Sequence, residues 1–167
     1  SKKLKAVDVR GNKSISLAKP REVLAKGKAM YEACFSKPGF REWTPMGTAG
    51  VTNWVNEIGS FPTHNFRTGF FPEYTGINGE ALKERILVTD KGCFGYPTPC
   101  GKYSRTTIGD KTVNVEGPEY ETIALMGGNC EIGDIREVAY ANYVADNLGL
   151  DTISGGNVAA FAMECFE

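Results

Sequence analysis

The sequence predicts a mainly α fold: a multihelical domain with a short N-terminal strand and irregular loops. Two observations carry this expectation. Apolar residues recur at helical spacing in several separate segments. Those segments open or close on residues that start and stop helices, namely Pro20, Asn78, Asp134 and Gly149. No internal repeat or low-complexity tract interrupts the pattern.

The elements follow in order. Leu4, Ala6, Val7 and Val9 form a short strand-like segment that stops at Arg10-Gly11-Asn12. A lone strand leaves its backbone unpaired, so the chain is expected to be cut from something larger. Pro20 opens a helix in which Val23, Leu24, Gly27, Met30, Tyr31 and Cys34 recur to about Phe35. Residues 36–44 hold Pro38 and Gly39 and read as a loop. Residues 47–58 read as helical, with Val51, Trp54, Val55 and Ile58 on one apolar face. Residues 60–77 are rich in Phe, Pro, Gly and Asn and have no period. Asn78 is expected to cap a short helix through Leu87. A Cys93–Cys100 loop and a hairpin-like excursion around Gly109-Asp110-Lys111 follow. Three helices complete the chain, at about 119–126, from Asp134 to a stop at Gly149, and at about 152–166. Asp134 with Glu137 three residues on has the form of a capping box.

Composition narrows the function. The 167 residues suffice for one domain with a real core. Lys plus Arg total 19 against 20 acidic residues, a net charge of −1, so no basic excess argues for nucleic acid or an anionic membrane. No apolar run approaches the about 18 residues of a membrane span, and no signal-like apolar segment opens the chain. Five cysteines at wide spacing make a poor disulfide framework, so reduced thiols and a cytoplasmic location are expected. The lone histidine, His64, excludes a His-rich zinc site.

Four segments could carry chemistry. Cys93-Phe94-Gly95-Tyr96-Pro97-Thr98-Pro99-Cys100-Gly101-Lys102 places two thiols in a loop thick with Gly and Pro, the form of a metal or cluster loop. Two small buried residues would give the same spacing. Gly117-Pro118-Glu119-Tyr120-Glu121-Thr122 gathers two carboxylates and a phenol where a helix begins. Solvated first-turn acids are the commoner cause of that pattern, whereas burial would tune one toward acid–base work. In Asp146-Asn147-Leu148-Gly149-Leu150-Asp151, Gly149 as C-cap and Asp151 as N-cap suffice structurally, yet the paired termini also offer a ligand polar groups. The Gly155-Gly156 pair that follows costs helix stability and points to close approach of a neighbour or cofactor. His64 reads as a hydrogen-bonded structural residue rather than a ligand.

Together and in this order, these segments resemble the middle portion of the tungsten-containing aldehyde:ferredoxin oxidoreductase family along nearly the whole chain. The opening 1–7 with Arg10-Gly11 resembles that family's exit from its N-terminal sheet domain. Gly47-Thr48-Ala49-Gly50, Asn56-Glu57-Ile58-Gly59 and Pro62-Thr63-His64-Asn65-Phe66 resemble its next stretch, in which arginine is common at the position of His64. Residues 117–122, Gly128-Asn129-Cys130, 146–151 and Thr152-Ile153-Ser154 complete the match.

The resemblance implies oxidation of aldehydes to carboxylic acids by a tungsten (or molybdenum) bis-pterin, with electrons passing through a 4Fe-4S cluster to ferredoxin. Asp146, Gly149, Leu150 and Asp151 match a pterin-holding motif. Glu119 and Glu121 fall where the family has a glutamate near the metal, and Glu121 fits its spacing better, as a proton acceptor. Residues 1–12 would be an arm of a preceding sheet domain and 13–167 the helical domain. Missing N- and C-terminal domains would complete the site, so the isolated chain is expected to bind no cofactor and to be inactive. Two departures stand out. The family's C-x2-C-x3-C loop keeps Cys93 and Cys100 as metal ligands but has Tyr96 between them. The E-x-x-H motif for a bridging iron reads Tyr140-Ala141-Asn142-Tyr143 here, so no such iron is expected. The alternative is a cluster-less relative that uses the fold as a non-enzymatic binding module. A small zinc or thiol-redox protein built on Cys93 and Cys100 is the weakest reading, because no second thiol pair has ligand spacing.

Overall fold

A computed structural model describes residues 6–167 of the chain. It divides into two compact units, with the division between Cys34 and Phe35. In the first, residues 6–17 form no helix or strand, and helix α1 (Pro20–Phe35) follows, its last residue falling in the second unit. Pro20 is the first residue of that helix, where its missing N–H costs nothing. The expected opening strand is not found over residues 6–12, and Leu4 lies outside the described residues. A strand needs a hydrogen-bonding partner, and among the described residues none pairs with these.

The second unit begins with α2 (Pro38–Trp43), a tight 3-10 turn over Gly47–Val51 and α3 (Thr52–Glu57). An irregular stretch leads to α4 (Gly79–Arg85). Strands β1 (Leu87–Lys91), β2 (Gly101–Ile108) and β3 (Lys111–Glu116) form an antiparallel three-stranded sheet in that order. A short turn of helix, α5 (Tyr120–Thr122), widens into a π turn over Ile123–Gly127 and tightens again over Gly128–Cys130. Helices α6 (Ile135–Leu148) and α7 (Thr152–Cys165) close the unit. The fold is mainly helical, as the periodicity predicts.

Local chemistry explains most boundaries. Asn78 caps α4 by accepting the Ala81 amide at 2.9 Å. Asp134 caps α6 through the Arg136 amide at 2.9 Å. Gly149 ends that helix at φ 66°, and the Leu150 amide reaches back to the Ala145 carbonyl at 2.9 Å. The core gathers Phe61, Ile77, Leu82, Ile123, Ile135, Val138 and Ala139, all fully buried. Val113 and Val115 face it from β3, alternating with exposed neighbours as the pleat requires. Thr106 of β2 donates to the Arg136 carbonyl at 3.1 Å and ties the sheet to α6.

Three further readings are corrected. The 36–44 loop contains α2, because Pro38 starts a helix where it was read as a breaker. The helix from Asn78 stops at Arg85, and Leu87 instead pairs with Ser104 at the head of β1. The apolar face assigned to 47–58 holds only in part: Val51 and Val55 are half-buried, Val55 against the core, whereas Trp54 and Ile58 are exposed and Thr52 and Asn56 are buried. Asn56 goes inside because its amide group pairs with both backbone groups of Phe71, at 2.8 and 3.3 Å.

Candidate functional site

The candidate residues lie in three segments that side-chain contacts join. The first is 117–122. Thr48 donates to the Glu119 carboxylate and accepts the Tyr120 amide at 3.0 Å. That pins Glu119, which is half-buried, onto the 47–51 turn. Glu121, two residues on, is exposed. Tyr120 packs edge-on against Phe61, with ring centroids 6.2 Å apart. Burial, and secondarily the Glu121 charge, pushes its phenol above the ordinary value. Tyr120 therefore stays protonated and is no base near neutral pH. Glu121 is left as the solvent-facing carboxylate of the pair.

The second segment is 146–151, on the turn between α6 and α7. Asp146, Gly149, Leu150 and Asp151 are all exposed. Asp146 accepts from Asn142 Nδ2 at 3.0 Å. Asp151 caps α7 through the Ser154 amide at 2.7 Å, and that bond holds its carboxyl below the usual range. The amides of Gly149 and Leu150 are spent on the helix end, bonding Asp146 and Ala145 carbonyls. This segment therefore presents carboxylates rather than free amides. Leu148, Leu150 and Ile153 stand exposed around them.

Two contacts bring these segments together. Asn142 Oδ1 lies 2.9 Å from the place a Cβ on Gly117 would take, while its amide nitrogen bonds Asp146. Thr122 and Thr152 share a hydroxyl hydrogen bond of 2.9 Å, one residue from Glu121 and from Asp151. Gly156 lets α7 close on the π turn, since a Cβ there would sit 2.4 Å from the Leu125 carbonyl oxygen. Gly156 of the pair thus serves approach of a neighbouring segment of this chain.

The third segment is the cysteine loop. Cys93 is exposed, Cys100 half-buried, and both thiols are free. Tyr96 is exposed, and its amide closes a turn onto the Cys93 carbonyl at 3.1 Å. Lys102 anchors the loop. Its side chain is 1% exposed, and its ammonium donates to the carbonyls of Thr44 and Pro99 at 2.8 and 3.1 Å and to Asp90 at 2.8 Å. Three acceptors match its three donors, which is the condition for burying a lysine. The Cys100 carbonyl lies 2.2 Å from where a Cβ on Gly47 would sit, so the loop rests on the turn that holds Glu119.

Thr48, Lys102 and Asn142 were not read as site residues from the sequence. Thr48 and Lys102 act across long separations, 58 to 72 residues for the bonds of Thr48 and of Lys102 to Thr44, whereas Asn142 bonds Asp146 within its own helix and approaches Gly117 from afar. His64 is hydrogen-bonded, as read, but in an ionic cluster away from these segments. Cys130 is buried, its thiol pushed up by burial and bonded to the Leu125 and Gly156 carbonyls at 3.4 Å.

A family model described as aldehyde ferredoxin oxidoreductase, domains 2 & 3, matches residues 26–167. The chain is 37% identical over 169 residues to a tungsten-containing aldehyde ferredoxin oxidoreductase of Pyrococcus furiosus, and 37% identical to the protein of the same name from Thermococcus kodakarensis. It is 31% identical over 176 residues to an aliphatic sulfonate oxidoreductase, WOR-like subunit, of Pyrococcus furiosus. Each comparison covers all of this chain, which spans 27% of the length of the relatives it matches. No described helix is long and apolar enough to cross a membrane. With the match running from α1 to the last residue and through all three candidate segments, the chain belongs to the aldehyde ferredoxin oxidoreductase family.

Proposed function

We propose that the chain is the middle part of a longer tungstopterin enzyme that oxidises aldehydes to carboxylic acids and passes the electrons to ferredoxin. Residues 1–12 would then be an arm of a preceding sheet domain. The observation that carries this reading is the joining of 117–122 to 146–152 through Asn142 and the Thr122–Thr152 bond. Two segments that the family resemblance assigns to one centre are neighbours here.

The residues present suit a pterin. Asp146 and Asp151 are exposed carboxylates with acceptor sites beyond those their hydrogen bonds use. Exposed Leu148, Leu150 and Ile153 flank them. Acceptors framed by apolar side chains fit a flat heteroaromatic ring that carries N–H donors. In this reading Asp146 and Asp151 orient the pterin, and Gly149 and Leu150 shape the turn that holds them apart. When bound, the tungsten centre supplies the two-electron oxidation of the aldehyde carbon. Glu121 takes a proton at its carboxylate as that carbon is attacked. Glu119, tied by Thr48, fixes the direction in which the turn presents Glu121.

The cysteine loop does not fit a 4Fe-4S cluster by itself. Such a cluster is held by four thiolates, and Cys93 and Cys100 are two. The shortfall favours a second reading, a cluster-less relative. By either reading the isolated 167-residue chain is inactive and holds no pterin.

Glu121→Gln in the longer enzyme tests the assignment. It should keep its tungsten and lose aldehyde oxidation by about 10²–10⁴-fold, the usual worth of a positioned proton acceptor. If Glu121→Gln retains full activity while Glu119→Gln loses it, the roles of the two glutamates are reversed.

A further inference from the structure

We propose that His64 and Glu167, with Glu131 behind the histidine ring, form a binding site for one divalent cation of the Zn2+ or Fe2+ type. Arg67 holds the place of the ion when it is absent. The inference does not rest on the reading of the pterin site.

Three carboxylates, of Glu131, Glu164 and Glu167, gather around His64 and Arg67. Arg67 is engaged with Glu164 through Nε and Nη2, at 3.1 and 2.8 Å. Its Nη1 lies 2.9 Å from Glu167 and 2.7 Å from His64 Nε2. A guanidinium has donors only and does not deprotonate, so Nε2 of His64 must present its lone pair. The proton then sits on Nδ1 and is donated to Glu131 at 2.6 Å. A carboxylate on one ring nitrogen, with the other nitrogen's lone pair aimed at a cation, is how metal-bound histidines are held.

Distances agree with this reading. His64 Nε2 and Glu167 Oε1 are 3.3 Å apart. Two ligands at about 2.1 Å from an ion at a near-tetrahedral angle are separated by about 3.4 Å. One ligand atom from each of His64, Glu131 and Glu167 lies within 4.8 Å of the other two. A cavity of about 10 Å³ opens at this place, lined by these residues with Asn65, Asn129 and Glu164. That is room for one water-sized group. Three carboxylates face one guanidinium and one imidazole, so the cluster keeps a net negative charge even with His64 protonated. Displacing Nη1 leaves Nε and Nη2 on Glu164, so Arg67 yields the site without losing its own partner. One nitrogen and carboxylate oxygen suit zinc, ferrous iron or cobalt better than Mg2+ or Ca2+. Tyr140 and Tyr143, at the family's bridging-iron motif, take no part.

Zn2+ is titrated calorimetrically into the 167-residue chain at pH 7.5, with thermal melting in parallel. One Zn2+ should bind and raise the melting temperature. His64→Asn and Glu167→Gln should abolish this binding. Asparagine tolerates the left-handed backbone of residue 64, at φ 52°, so the first variant keeps the turn. Glu131→Gln should weaken binding about 10–100-fold, the usual effect of losing the carboxylate behind a ligating histidine. Arg67→Gln should tighten binding at least tenfold, because the resident cation is gone. No binding by the wild type at millimolar Zn2+, or a fall in affinity in Arg67→Gln, would mean an ion-pair cluster only and overturn the proposal. Binding that survives His64→Asn and Glu167→Gln would belong to the thiols and would overturn it equally.

Discussion

Adding a methyl group to α7 should have opposite effects at two adjacent residues. Gly155 and Gly156 are both inside the helix, where alanine is favoured over glycine by about 1 kcal/mol. Propensity alone predicts that either Gly→Ala change stabilises. The packing differs. A Cβ on Gly155 meets only the tip of Met126, at 3.3 Å, and that flexible side chain can yield. A Cβ on Gly156 meets the Leu125 carbonyl oxygen at 2.4 Å, its carbonyl carbon at 2.5 Å and its Cβ at 2.9 Å. Two of these are backbone atoms of the π turn and cannot move without moving the turn. Overpacking of this kind costs about 1–3 kcal/mol or more, enough to offset the propensity gain. Gly155→Ala should therefore raise stability by up to about 1 kcal/mol, and Gly156→Ala should lower it by about 1–2 kcal/mol. For a chain this size each kcal/mol moves the melting temperature by about 2–4 °C. Urea and thermal unfolding of the two variants beside the wild type measure both. If Gly156→Ala equals or exceeds wild-type stability, α7 does not close on the π turn, and the joining of Glu121 to Asp151 loses its support.

Other perturbations should read out the remaining contacts. Thr48→Ala removes a bond to a carboxylate and strands the Tyr120 amide, for about 2–4 kcal/mol in urea unfolding, whereas Thr48→Ser should recover most of it. Lys102→Met leaves the Thr44 and Pro99 carbonyls without their donor, and should cost about 2–3 kcal/mol while making the 93–100 loop the first site of limited proteolysis. The pKa of His64 is raised above 6.5, chiefly by its bond to Glu131. Its contribution is thus complete below pH 6.5 and is lost as pH rises through the higher folded value. In metal-free buffer the melting temperature should fall across that interval, and His64→Asn should flatten the fall. Asp151 behaves with the opposite sign, its pKa being lowered by the Ser154 amide: its contribution is present above the ordinary aspartate range and is lost as pH falls through the lowered value. Asp151→Ala should remove that acid-side loss.

What the sequence made legible was local. Pro20, Asn78 and Gly149 mark helix ends through bonds or φ values within a few residues, and each end falls where those residues predict. The 109–111 turn likewise follows from its own residues, between Ile108 and Lys111 of the hairpin. Strand β1 was hidden because five residues following a helix have no period of their own; pairing with 101–104 makes it a strand. The face of α3 holds at Val55 and fails at Trp54, because Asn56 enters the core for the backbone of Phe71, fifteen residues away. The candidate site divides in the same way. Glu119, Glu121, Asp146 and Asp151 stand in short motifs and were named. Thr48 and Lys102 act across distances that no local pattern encodes, and Asn142 adds a long-range approach to Gly117 to its local bond with Asp146. The cluster at His64 draws on Glu131, Glu164 and Glu167, of which only the lone histidine drew attention.

The most direct test is metal and pterin analysis of the longer enzyme carrying this chain, purified without oxygen, beside an Asp146→Ala, Asp151→Ala variant. The account predicts tungsten or molybdenum with pterin in the wild type, and loss of both from the variant while the protein stays folded. A wild type without either metal or pterin would contradict it and leave a relative that uses the fold for binding alone.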